Sequence, residues 1–159
     1  MQRSRVVLVL AAACLAVASP ASAQAPLRDP CTLLTAAEVS AALGITSLPG
    51  RPFLGSRVSC YFAADTGIRM GAASVTVMVM TPVAFQNQGH MGGALTGHPI
   101  SGLGDEALYV SSGSYAKVLV RKGARALSVT IVPGEASKAA TAEVLEKEKA
   151  LARKAAARL

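Results

Sequence analysis

ALYVSSGSYAKVLVRKGARALSVTIV, residues 107–132, is the stretch that decides the fold. Ala116, Val118 and Val120 fall on one side of Tyr115–Arg121, and Leu127, Val129 and Ile131 on one side of Arg125–Val132. Apolar residues recurring every second position mark a half-buried strand and not a helix. Lys122-Gly123-Ala124 leaves room only for a turn, and Gly113 marks a second turn after a strand over Ala107–Ser111. Three strands joined by short turns make an antiparallel meander.

Working upstream, Gly102-Leu103-Gly104-Asp105-Glu106-Ala107 is a tight turn into that meander. Residues 73–80 read as a further strand, with Val75, Val77 and Val79 on one face. Residues 57–63 read as another, with Val58, Cys60 and Phe62 inward. Between them and the meander, Pro82–Ile100 is the least legible part. A short helix over Val83–Gln88 fits, followed by a loop through Gly89, Gly92, Gly93 and Gly97. Ile45–Ser56, with two prolines and two glycines, reads as a loop.

Helices flank the strands. Thr35 caps a helix and Glu38, three residues on, completes a capping box, with Leu34 and Val39 at staple positions and Gly44 as the stop. Residues 135–158 are rich in Ala, Glu, Lys, Leu and Arg, strong helix formers, with Ala140, Val144, Leu151, Ala155 and Leu159 along one stripe. The expected fold is α+β: an antiparallel sheet of about five strands, packed on one face by a short N-terminal helix and a long C-terminal helix. The expected domain runs over 30–159, preceded by a flexible lead at 24–29.

Residues 1–23 read as an address. Arg3 and Arg5 precede an apolar run, Val6–Ala18, and Ser19-Pro20-Ala21-Ser22-Ala23 is a small-residue ending of the A-x-A type. That is the pattern of a secretory signal peptide, with a run too short to span a bilayer. Cleavage after Ala23 releases a periplasmic or secreted chain. The alternative is lipidation at Cys14, which follows Ala11-Ala12-Ala13 but would leave only Val6–Leu10 as the apolar core. Cleavage after Ala23 leaves two cysteines, Cys31 and Cys60. In an oxidising compartment an even pair reads as a disulfide. The bridge would close a loop of roughly 30 residues, for which chain entropy gives roughly 3–4 kcal/mol.

The formal net charge is +7, and Arg3 and Arg5 belong to the leader. The remaining excess does not cluster: Arg28, Arg51, Arg57 and Arg69 are scattered. Lys147, Lys149, Arg153, Lys154 and Arg158 share their helix with Glu143, Glu146 and Glu148, as a solvated face does. With no Trp and only three Phe and three Tyr, the chain offers little for base stacking. A nucleic-acid partner is therefore not expected, nor is stable membrane insertion after processing.

Several landmarks stand in order: Asp29-Pro30-Cys31-Thr32-Leu33-Leu34-Thr35, Cys60-Tyr61, Gly102-Leu103-Gly104-Asp105-Glu106-Ala107, Val120-Arg121-Lys122-Gly123 and Leu127-Ser128-Val129. Together they resemble a family of small bacterial exported proteins and lipoproteins, the domain of unknown function numbered thirty-five fifty-eight. The resemblance covers Asp29–Arg158. It implies an α+β fold, an extracytoplasmic location and a Cys31–Cys60 bridge, and it implies no reaction.

Catalytic constellations are sparse. The only histidines are His90 and His98, no G-x-S-x-G elbow is present, and the adjacent carboxylates of Asp105 and Glu106 lie in a turn. No cofactor motif appears. His90, Met91, His98, Met78 and Met80 offer imidazole and thioether groups that suit copper, the alternative function; a small envelope enzyme ranks below it. The first expectation is a non-enzymatic module that binds an unknown protein or small molecule of the cell envelope. The outer sheet face would present Thr76, Met78, Met80, Tyr109, Lys117, Leu119, Ser128 and Thr130. Met78, Met80, Tyr109, Lys117 and Leu119 form the candidate partner surface, because a purely solvated face has no need of those apolar members. A second packing layer, or mere scatter, is the competing and simpler explanation of them.

Mass spectrometry of the exported protein should find Gln24 at its N-terminus; a diacylated Cys14 would refute that processing.

Overall fold

Val75, Val77 and Val79 stand directly across from Ile131, Val129 and Leu127, and all six are buried. That pairing is the centre of the computed structural model, which describes residues 27–65, 72–90, 96–112, 115–134 and 141–159. The strands are β1 Arg51–Pro52, β2 Ser59–Ala63, β3 Ser74–Met80, β4 Thr96–Pro99, β5 Glu106–Ser112, β6 Tyr115–Lys122 and β7 Arg125–Val132. They form one sheet in the order β1-β2-β3-β7-β6-β5-β4, every neighbouring pair antiparallel. The helices are α1 Ala36–Leu43, α2 Pro82–Gly89 and α3 Ala142–Ala157.

The α+β expectation holds, and all five anticipated strands are present. The sheet has two more, β1 and β4, one at each edge. Both carry a proline, and β4 also carries Gly97, so both read as loop in the sequence. Proline is tolerated at an edge because its missing N–H need not face a neighbouring strand.

The inner face packs against α1 and α3, with Cys60, Phe62, Val75, Val77, Val118, Val129, Val39, Leu151 and Ala155 in one cluster. Thr35 caps α1 with the reciprocal Glu38 bonds of a capping box, and Gly44 ends it in the left-handed conformation at φ 70°. Cys31 and Cys60 are disulfide-bonded, with Cα atoms 5.0 Å apart, so the chain's first turn is fastened to β2. Asp29 caps that first turn, its Oδ1 accepting the Cys31 N–H at 2.9 Å. Val58, expected inward, precedes β2 and is exposed.

The basic residues around α3 are not merely a solvated fringe. Arg158 donates two bonds of 2.8 Å to the Glu38 carboxylate and a third, also 2.8 Å, to the Leu33 carbonyl. That pairing, with the capping contacts from Thr35, holds the Glu38 carboxyl at about 2. Lys122 and Arg125, at the β6–β7 turn, donate to the backbone oxygens of Ala156 and Leu159 at 3.1 and 2.6 Å. Cations therefore meet the negative end of the α3 dipole.

Glu148 overturns the reading of its helix face. It is 0 % exposed among the buried line Val144, Leu151, Ala152 and Ala155. The β6–β7 pairs end at Val118 and Val129; beyond them, the Ile131 N–H donates to Glu148 Oε1 at 2.9 Å. Glu148 Oε2 has no hydrogen-bond partner among the described residues. Burial pushes the carboxyl up to about 7, against the lowering effect of the Ile131 N–H.

The outer face is not open throughout, which corrects the expectation of helices on one face only. Thr81 caps α2 and Pro82 starts it. Phe85 of α2 is fully buried against Met80, Val110, Leu119 and Ala126. A Cβ on Gly89 would collide with Leu108 Cδ1, so a glycine at the end of α2 permits the close approach to β5.

Serine at both Cys31 and Cys60 should lower stability by about 2–5 kcal/mol in denaturant titration, and peptide mapping without reductant should recover the linked pair. Glu148→Gln gives a second expectation. Below the unfolded carboxyl value of 4.5, both states are protonated; between 4.5 and about 7 the folded chain holds the extra proton, so stability falls as pH rises and the loss is complete above about 7. At 1.36 kcal/mol per pH unit, the variant should be more stable than the parent by up to about 3 kcal/mol at pH 8, with the gain disappearing near pH 4. A gain independent of pH would mean Glu148 is not the titrating group.

Candidate functional site

The five side chains expected to form a partner surface do not come together. Ser112 pairs with Tyr115, which places Tyr109 opposite Val118 and therefore on the inner face. There, burial raises the Tyr109 pKa, the nearby Glu148 charge adds to the rise, and a hydrogen bond with Ser111 opposes it. Met80 and Leu119 do lie on the outer face, but they are 4 % and 0 % exposed beneath α2. They are core residues of a small second layer, and a carboxylate at either position would be buried there. Leu108 and Val110 are the β5 residues that share their face. Only Met78 and Lys117 remain from the expected surface, and both line a depression beside α2.

That depression has a volume of about 490 Å³ and is lined by Thr76, Met78, Gln88, Lys117, Ser128, Thr130 and Val132. Its geometry follows from the register. Thr76 stands opposite Thr130, and Met78 opposite Ser128, so β3 and β7 present a ladder of hydroxyls with one thioether. Lys117 enters from β6, and Gln88 from the last turn of α2. Lys117 Nζ donates to Gln88 Oε1 at 2.6 Å. The lysine is 6 % exposed, and burial lowers its pKa. Taken together, the depression has a cationic donor, several hydroxyls that can donate or accept, and an apolar flank from Met78 and Val132. A volume of this size lies within the range of small-molecule sites.

The outer face is thus divided. Its half beneath α2 is dry, and the half bearing Thr76, Ser128, Thr130 and Lys117 is polar. The sequence held a signal for this division on β3, where Ser74 and Thr76 precede Met78 and Met80. The contribution of Gln88 was missed, because a helix as short as α2 leaves too little periodicity to show which side faces the sheet.

The described members of the copper constellation do not lie on one face. His98 pairs with Tyr109 and so belongs to the inner face, opposite Met78 and Met80. His90 follows α2, with Nδ1 2.8 Å from the Gln86 carbonyl. Met80 is buried, and Met91 lies outside the described residues. Among the described residues, no group of three His, Cys, Asp or Glu side chains is placed to hold a metal ion. Asp105 and Glu106 have structural partners. Asp105 Oδ2 accepts the Gly123 N–H at 2.6 Å, and Glu106 Oε2 lies 3.1 Å from Arg121 Nε and 3.3 Å from Gln86 Nε2. They fasten the turn before β5 to the β6–β7 turn and to α2.

No family model, curated protein or solved structure matches this chain. A disulfide of this kind persists in oxidising, extracytoplasmic surroundings. Among the described residues, no helix is long and apolar enough to cross a membrane.

Proposed function

We propose that this protein is a non-enzymatic binding module of the periplasm or the extracellular space, and that the depression around Lys117 receives a small ligand bearing a carboxylate or a similar oxyanion. The observation that carries the reading is the placement of Lys117: a largely buried ammonium group, steered by Gln88, within a depression lined by three hydroxyl residues. Lys117 adds a charged donor to the wall that the hydroxyls form, and a charged donor makes the stronger hydrogen bond to an oxyanion. The hydroxyls orient the anion's oxygens, while Met78 and Val132 give the ligand's remainder an apolar wall. The resemblance to small exported proteins supplies no activity, so the reading rests on this depression and on the bridge that marks the compartment.

Thermal denaturation of the exported protein against a panel of small carboxylates, phosphate and sulfate tests the reading. A ligand present at a hundredfold over its Kd should raise Tm by on the order of 8 °C. Lys117→Met, which keeps the side chain's bulk and removes its charge, should abolish that rise while leaving the unliganded stability within about 1 kcal/mol. Lys149→Met, on α3, should leave the rise unchanged. A panel without effect on the parent protein, or an equal rise in Lys117→Met, would defeat the proposal.

A further inference from the structure

Leu54 is 92 % exposed and has φ 49° and ψ 37°, the left-handed conformation that L side chains rarely adopt. It contributes nothing to the core. It forms the tip of a turn, Phe53–Gly55, held from both sides. Pro52 of β1 precedes the turn, and Gly55 leaves it at φ 75°. Phe53, itself 43 % exposed, rests its ring 5.5 Å from that of Tyr61 in β2. The fold thus displays two large apolar side chains on a turn fixed to a strand.

Two depressions flank the tip and share Pro52 and Gly55. One, of about 380 Å³, includes Arg51, Phe53, Leu54 and Tyr61. The other, of about 340 Å³, includes Leu27, Asp29 and Arg57. The carboxylate of Asp29 already accepts the Cys31 N–H. Arg51 and Arg57 make no side-chain hydrogen bond or ion pair among the described residues, whereas Lys122, Arg125 and Arg158 are spent on the helix layer. The two arginines look scattered in the sequence, yet the turn brings them to either side of one apolar tip.

We propose that this tip is a docking surface for an anionic lipid bilayer. Phe53 and Leu54 enter the boundary between headgroups and acyl chains, and Arg51 and Arg57 meet the lipid phosphates. Charge complementarity favours that occupant, and so does the course of the chain. The domain begins at Leu27 beside the tip, and residues 19–26 can separate it from the apolar run ending at Ala18 by no more than about 30 Å. While that run is held in a membrane, this end of the domain is the one kept near the surface. After processing, the tip retains its own contact. The proposal is independent of the Lys117 depression, which lies on the outer face between β6, β7 and α2.

Co-sedimentation with vesicles is the test, using phosphatidylcholine alone and phosphatidylcholine with one quarter phosphatidylglycerol. The exported protein should partition onto the anionic vesicles and not the neutral ones, and raised salt should release it. Leu54→Gly suits the left-handed backbone and removes only the exposed side chain; it should keep the parent Tm and lose about tenfold in partitioning. Arg51→Gln and Arg57→Gln should each lose about fivefold. The proposal is overturned if the parent protein ignores anionic vesicles, if it binds neutral vesicles equally, or if Leu54→Gly partitions as the parent does. Self-association of the parent without vesicles that Leu54→Gly abolishes would overturn it too, by assigning the tip to a second copy of the chain.

Discussion

The fold depends on fastening one end of a helical layer to a sheet whose inner face is built mainly of valine, with Phe62, Leu127 and Ile131 as larger members. Valine and alanine bury little area each, and without tryptophan the largest fully buried rings are those of Phe62 and Phe85, on opposite faces of the sheet. The Cys31–Cys60 bridge supplies the covalent fastening where the chain enters. Glu38 and Arg158 then join the start of α1 to the end of α3 across the same layer. The pair gains from bidentate geometry, and because water reaches Arg158 its contribution is modest beside that of the bridge. Both links act on the same assembly, the helical layer of α1 and α3 over the valines of β3, β6 and β7.

The central strands were legible because their period-two pattern is strong and their turns are short. Val75, Val77 and Val79 cover the same face in sequence and in structure, as do Val118, Val120, Leu127 and Ile131. The cap of α1 was equally legible, since Thr35 and Glu38 carry their mechanism locally. What failed depended on neighbours distant in sequence. Gly97 and Pro99 suppress the appearance of a strand, and only β5 reveals that residues 96–99 pair with it. The face of Tyr109 is set by the hairpin register, which runs from Ser112 opposite Tyr115 to Tyr109 opposite Val118. Glu148 reads as solvated by its charge, although its spacing from Val144, Leu151 and Ala152 places it on the buried line.

The candidate site was legible in its strand half alone. Thr76, Met78, Lys117, Ser128 and Thr130 follow from alternation once the inner face is assigned. The lid over Met80 and Leu119 does not, because Phe85 is the one fully buried large side chain that α2 contributes. That one ring converts half of an apparent recognition surface into interior. It also turns the other half into a recess, since α2 raises a wall at Gln88 beside an otherwise flat sheet. A short helix with weak amphipathicity thus sets the shape of the outer face.

The prolines in the two outermost strands carry a consequence for how this molecule meets others. Pro52 and Pro99 interrupt the row of donors that an incoming extended peptide would need, and β1 and β4 are short besides. Recognition by adding a strand to the sheet is therefore closed at both margins, and so is the stacking of sheets edge to edge into fibres. Among the described residues, side chains on a face or on a turn remain as the means of meeting a partner. Contacts of that kind are read by shape and charge, and a relatively small number of substitutions can redirect them.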